Sequence, residues 1–171
     1  MIKLLGVFLV TGGCSMCGWY FSGMFLGRIH LLEEWQQLIQ YLYGEIEYSA
    51  SDMEEILQLM VLRSIYSKAF WENMVQEIKQ HRGILFSDIW KENLPDIELW
   101  ESLKRNEREI IIELGRNVGN LDRETQLHTL DIFQKRISDS LLKARDEYRT
   151  QEKLCHVIGI TAGIFISILL V

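Results

Sequence analysis

The sequence predicts an all-α protein: two terminal transmembrane helices bracketing a helical bundle of five to six helices. Three observations carry this. From Leu4 to Gly27 and from Leu154 to Val171 no residue is charged. Those runs are 24 and 18 residues long, and a membrane-spanning helix needs about 20 mostly apolar residues. Between them lies a polar stretch with one proline, Pro95, and no alternating strand pattern bounded by turn residues. The expected division is therefore residues 4–27 as the first span, 28–153 as the bundle and 154–171 as the second span.

A cleaved signal peptide would also begin with Lys3, an apolar run and the small residues Thr11-Gly12-Gly13. The apolar run continues through Trp19-Tyr20-Phe21 and Met24-Phe25-Leu26, longer than a signal core, so a retained helix is expected. Cys14 would suit a lipoprotein, but Thr11 stands where such sites usually carry Leu. Cys14 and Cys17 have C-x-x-C spacing, yet they fall within the apolar run with no second pair, and small residues in a packed helix account for them. With Cys155 in the second run, the middle contains no cysteine, which excludes a disulfide-stapled domain.

Alone of the 18 Lys and Arg, Lys3 lies outside residues 28–153, and all 24 Asp and Glu lie inside. The middle is thus acidic overall and offers no general electrostatic surface for nucleic acid. Close to the predicted spans it is nonetheless rich in cations: Arg28, Lys135, Arg136, Lys143, Arg145, Arg149 and Lys153, against Lys3 on the far side. Cytoplasmic loops carry the excess of Lys and Arg, so the bundle is expected on the cytoplasmic side of a two-pass membrane protein.

Element by element, Leu31, Trp35, Leu38, Leu42 and Ile46 recur at helical spacing, so the first span is expected to continue as one rod to about Tyr48. Ser49-Ala50-Ser51-Asp52 reads as a turn in which Asp52 caps a helix bearing Met53, Ile56, Leu57 and Met60. Ser67 is expected to cap a third helix with Phe70, Met74 and Ile78, ending near Gly83. A short helix over 87–92 should stop before Pro95. From Asp96 the positions Ile97, Trp100, Leu103, Ile110, Leu114 and Val118 suggest one helix, broken or capped by Gly115, Gly119 and Asn120. If a turn lies there, Gly115 or Gly119 should have positive φ. Leu130, Phe133, Ile137, Leu141, Ala144 and Tyr148 then lead into the second span.

No residue pattern marks an active site. Phosphate-cradling Gly-rich loops, G-x-G-x-x-G and H-E-x-x-H are all missing from the sequence. A di-iron bundle needs Glu-x-x-His on two helices, and His30, His81, His128 and His156 are never three residues after a Glu. Glu77/His81 and Glu124/His128 are ordinary helix neighbours. The five Trp read as membrane anchor (Trp19) or core (Trp35, Trp71, Trp90, Trp100). No enzymatic activity and no cofactor or metal are expected. Each run does contain a G-x-x-x-G strip, Gly23/Gly27 and Gly159/Gly163, where another helix backbone can approach closely.

Three segments carry a family resemblance: Leu38 to Tyr48 with Glu45-Ile46-Glu47-Tyr48, then Leu114-Gly115-Arg116-Asn117-Val118-Gly119 followed by Asp122 and Gln126, and the long last helix with its apolar end. On these the whole chain resembles the stage III sporulation protein AB family, whose members are membrane proteins of endospore-forming bacteria. Where that family often has Pro-Leu after E-I-x-Y, this chain has Ala50-Ser51-Asp52-Met53. The resemblance implies a component of the channel-like apparatus linking mother cell and forespore. Its helical domain would be similar to the cytoplasmic domains of the platform protein of type II secretion. It also implies partners: the secretion-type ATPase stage III sporulation protein AA, other membrane subunits of the same complex, and membrane lipid. The surface farthest from the bilayer is then expected to dock the ATPase. Its residues would be Glu45, Asp122, Arg123 and Gln126, with Arg123 as hot spot; the plainer reading is that Asp122 caps the last helix and Gln126 is merely solvated. The competing class is a two-span sensor with an extracytoplasmic bundle, which would be expected to carry a signalling domain after the second span.

Overall fold

A computed structural model describes the backbone of residues 2–49, 52–80, 84–118 and 123–170, and side chains within residues 25–151. Six α-helices follow one another: α1 (Ile2–Tyr48), α2 (Met53–Arg63), α3 (Lys68–Gln80), α4 (Phe86–Asn93), α5 (Arg105–Val118) and α6 (Arg123–Leu170). Two short 3₁₀ turns, Leu94–Asp96 and Trp100–Ser102, link α4 to α5. Among the described residues there is no strand, and the all-α bundle is as expected.

The long helices α1 and α6 form the spine. Their contacts show that they run antiparallel: Arg123 at the start of α6 bonds the carbonyl of Ile46 near the end of α1, while Arg145 and Glu147 meet Glu33 and Arg28. The rest of the chain meanders over this hairpin, with α2 on α3, α3 on α4, α4 on α5 and α5 back on α6. Leu31, Trp35, Leu38 and Leu42 of α1 are buried, as are Leu130, Phe133, Ile137, Leu141 and Ala144 of α6. At the centre sit Trp35, Phe70, Trp71 and Trp90, with centroids 4.8–6.1 Å apart and mostly tilted or edge-on. Such offset and edge-to-face pairs add to what burial alone contributes.

Both terminal runs are helical in backbone. Apart from residues 25–27, the side chains of the predicted spans 4–27 and 154–171 lie outside the described residues, including Cys14, Cys17, Trp19, Gly23, Gly159 and Gly163. Among the described residues no helix is long and apolar enough to cross a membrane.

Three local expectations are corrected. Residues 96–118 are not one helix: the 3₁₀ turns and a left-handed Leu99 (φ 62°) precede α5. Ile97, Trp100 and Leu103 are three apart, which is also the repeat of a 3₁₀ helix, so the pattern could not discriminate. Gly115 lies inside α5 and neither breaks nor caps it; Gly119, Asn120 and the helix end near Gly83 lie outside the described residues. Asp52 stands at the N-cap of α2 but makes no side-chain capping bond there.

Capping of α3 comes from across the bundle. Glu34, on α1, accepts the backbone N–H of Ile65 (2.7 Å), Tyr66 (2.8 Å) and Ser67 (2.9 Å) and the Ser67 hydroxyl (2.5 Å). Ser67 Oγ in turn accepts from Trp71 Nε1 at 3.0 Å. Three successive N–H groups thus form an anion-holding nest ahead of the helix, where the helix dipole also favours negative charge. Ser67 is wholly buried, so water cannot replace the carboxylate there. Glu34→Ala should destabilise the fold by about 1–3 kcal/mol, and Glu34→Gln by less. Thermal melting of the full chain in detergent checks both; an unchanged melt for Glu34→Ala would show that the nest is dispensable.

Candidate docking surface

Residues 28 to 48 of α1 span about 30 Å at 1.5 Å per residue, so the bundle has two well-separated ends. One lies at Arg28 and Glu147, next to the charge-free runs. The other lies where α1 ends, α5 ends and α6 begins.

At this distal end the side chains of α6 finish the neighbouring helices. Arg123 Nε donates to Ile46 O at 2.9 Å, and its Nη2 donates to Glu47 O. These are C-terminal carbonyls of α1, which lack intrahelical partners and favour a nearby cation. Gln126 Nε2 donates to Val118 O at 2.7 Å and closes the end of α5 in the same way. Arg123 is exposed, Gln126 and Glu45 are partly buried, and Asp122 lies outside the described residues. Three of the four sequence-chosen residues are therefore at one end of the bundle. Two of them, Arg123 and Gln126, already hold helix ends together.

Tyr48 is the last residue of α1, where the stripe that runs from Leu31 to Ile46 gives out. Ile46 does pack partly against the core, whereas Tyr48 is 84 % exposed. The Glu47 carboxylate, by its hydrogen bond first and its charge second, holds the Tyr48 hydroxyl above its usual pKa. At neutral pH this exposed phenol is therefore a neutral ring whose proton is already donated to Glu47. Its position as the last residue of α1, just before the turn, was the available signal.

The opposite end holds a second constellation that the sequence did not reveal. Arg28 is 4 % exposed and Glu107 1 %. Arg28 clasps the Glu107 carboxylate through Nε (2.9 Å) and Nη2 (2.5 Å), and its Nη1 donates to Glu147 at 2.7 Å. Lys104 Nζ donates to the other Glu147 oxygen at 2.6 Å, and Lys104 N–H donates to Glu107 at 2.8 Å. The last contact is the backbone half of a capping box that starts α5. Two cations and two carboxylates tie α1, α5 and α6 together. Burial pushes the Arg28 pKa down, but the bonds from Glu107 and Glu147 outweigh it and the net shift is upward. The hydrogen bond from Lys104, then that from Arg28, holds the Glu147 carboxyl below its usual range. Arg28, counted above among the cations beside the membrane, is thus already neutralised within the fold.

Gly27 faces Leu99 of the same chain: a Cβ there would come within 3.1 Å of Leu99 Cδ1. Among the described residues no group of three or more His, Cys, Asp or Glu is arranged to hold a metal ion.

The sequence matches the family described as stage III sporulation protein AB over residues 3–171. A similar protein is stage III sporulation protein AB of Bacillus subtilis (strain 168), 20% identical over 170 residues, spanning 99% of both chains. A solved structure of a stage III sporulation protein AB superposes with a TM-score of 0.63 at 17% identity, covering 72% of this chain and 97% of that one. At that identity the structural likeness speaks for the fold, while the family match extends over nearly the whole chain. The match over residues 3–171 makes this chain a member of the stage III sporulation protein AB family.

Proposed function

We propose that this protein is a membrane-anchored platform in the channel apparatus between mother cell and forespore, with its bundle on the cytoplasmic side of the mother-cell membrane. There it docks the secretion-type ATPase stage III sporulation protein AA and couples it to the membrane subunits. The observation that carries this reading is the antiparallel α1–α6 hairpin. It directs both charge-free runs from one end of the bundle and presents Glu45, Tyr48, Arg123 and Gln126 about 30 Å away at the other. Family membership and the resemblance to secretion platforms support the choice of partner. A structural coupling role fits a site built of helix caps and an exposed aromatic ring.

Tyr and Arg are over-represented among residues that dominate binding energy. Here Arg123 is committed to the α1 carbonyls, which makes Tyr48 the better anchor and Arg123 the residue that sets the surface. In pull-downs of the ATPase by the full chain in detergent, Tyr48→Ala and Glu45→Arg should each reduce capture while leaving the helical melt unchanged. Arg123→Glu should reduce both. Undiminished capture by properly folded Tyr48→Ala and Glu45→Arg would place the docking surface elsewhere. Labelling a Cys introduced between residues 84 and 95, in intact and broken cells, tests the side of the membrane independently.

A further inference from the structure

Leu99 is the one described non-glycine residue with positive φ, 62°, and its side chain is 41 % exposed. A left-handed backbone is unfavourable for a bulky L-residue, and an exposed Leu gains nothing from water. Both unfavourable features fall on one residue. Strain that the surroundings enforce is an observation from which a function can be inferred.

The surroundings do enforce it. Ser102 donates to Leu99 O through both its N–H (2.8 Å) and its hydroxyl (2.6 Å). Arg108 fastens the same turn by donating to Glu101 O (2.9 Å) and Leu103 O (3.0 Å). Glu98 N–H donates to Tyr66 O at 2.7 Å. These bonds fasten the turn and leave the Leu99 side chain only partly covered.

Its position is specific. The Leu99 side chain lies against Gly27, the last residue of the charge-free run 4–27. Leu26, one residue earlier, is itself 37 % exposed. Trp100 follows, partly buried, with the Arg108 guanidinium 5.8 Å from its ring centroid. Around this apolar tip both signs of charge are exposed, Glu98 and Glu101 as well as Lys104 and Arg105. A reader of anionic headgroups would be predominantly basic. An apolar tip with an indole and mixed charges matches the boundary between headgroups and acyl chains.

We propose that the 97–103 turn is an interfacial membrane anchor, in which Leu99, seated on Gly27 and followed by the core-packed Trp100, enters the headgroup–acyl boundary next to the point where α1 leaves the bilayer. This rests on the reading that residues 4–27 cross the membrane. The anchor fixes the tilt of the bundle on the membrane through a third contact besides the two long helices.

The test uses the full chain with Cys14, Cys17 and Cys155 replaced by Ser and one new cysteine carrying an environment-sensitive fluorophore. Leu99→Cys is the reporter, with Trp100→Cys as a second in case the first fails to fold. Val10→Cys reports on the predicted span and His128→Cys on the distal end. Each is reconstituted into phosphatidylcholine vesicles with or without a lipid carrying a quencher near its headgroup. Labels at 99 or 100 should be quenched severalfold more than the label at 128, and adding anionic lipid should not be required. If position 10 is quenched but 99 and 100 resemble 128, the anchor is wrong while the span reading stands. If position 10 is also unquenched, the span reading fails and the anchor with it. A blue-shifted but unquenched label at 99 and 100 would mean that protein, such as a second copy of this chain, covers the turn, which equally overturns the proposal.

Discussion

Arg28→Ala should destabilise the bundle by about 3–5 kcal/mol, because it leaves the Glu107 carboxylate buried without its counter-charge. Glu107 is 1 % exposed, and the Lys104 N–H that remains to it is a neutral donor. Glu107→Ala should cost a similar amount by stranding Arg28, somewhat relieved because Glu147 still pairs with it. The informative variant is the double replacement Arg28→Leu with Glu107→Leu. Removing both charges together also removes their desolvation cost, and such exchanges are often neutral or even stabilising by about 1–4 kcal/mol. Chemical denaturation of the full chain in detergent should therefore give two poor single variants and a double variant near the parent. A double variant as unstable as the singles would show that the charges matter through the backbone N–H and the shape of the α5 start, and not through each other. Acid should weaken the same joint from the Glu147 side. The Glu147 folded-state pKa is lowered, by Lys104 first and Arg28 second, so its contribution is complete above the ordinary glutamate range and is lost as pH falls through the depressed folded value. Glu147→Gln should flatten that acid limb of the stability curve. Because Glu147 is more than a third exposed, the change in its amplitude should be small.

The stripes of α1 and α6 were legible because burial repeats every three or four residues over many turns; the structure buries those positions except the distal Ile46 and the membrane-proximal Tyr148, which are partly buried. The polar joints were not, although a local signal existed. Arg28 continues the apolar stripe of Leu31, Leu32 and Trp35 backwards by one turn, and Glu34 falls within it, between Leu31 and Leu38. Glu107 likewise extends the stripe of Ile110, Ile111 and Leu114. A charge in register with a buried face must either find a partner or not be buried, so its register announces a partner without naming it. The names come from tertiary placement: Arg28 and Glu107 are 79 positions apart, and Glu33 and Glu34 are the same residue type with opposite fates. Glu33 meets Arg145 at the surface, while Glu34 holds the entry to α3. At the distal end Arg123 and Gln126 lie together, but their work on the helix carbonyls depends on which chain ends converge there, and no single-helix pattern shows that. The handoff between α4 and α5 failed for a different reason, since a period of three belongs to α and 3₁₀ helices alike.

Gly115→Val should be among the most damaging single substitutions in the bundle, for a reason other than backbone freedom. Gly115 is helical, and a Cβ placed on it would lie 2.1 Å from Trp90 Cγ and 2.2–2.3 Å from the adjoining ring atoms. The indole rests directly on the α5 backbone, and its Nε1 donates to Ile111 O, one turn earlier, at 3.1 Å. Two effects oppose each other when Gly115 becomes Ala. A helix interior prefers Ala to Gly by about 1 kcal/mol. Against this, overpacking a filled core costs about 1–3 kcal/mol, and more when a large ring must move. Trp90 has little room to retreat, because its ring packs on Phe70 (4.9 Å), Trp71 (5.4 Å), Phe86 (5.7 Å) and Trp35 (5.9 Å). The clash should win, so Gly115→Ala should be clearly destabilised and Gly115→Val should exceed about 4 kcal/mol, the exceptional range for one substitution. Near-UV circular dichroism should register the displaced indole. The decisive comparison uses a Trp90→Ala background, itself about 3–5 kcal/mol less stable. With the ring gone, only helix preference remains, and Gly115→Ala should now stabilise the protein by up to about 1 kcal/mol. That reversal of sign is specific to a close helix–ring contact. If Gly115→Ala were equally harmful in both backgrounds, the glycine would be required for some purpose other than making room for Trp90.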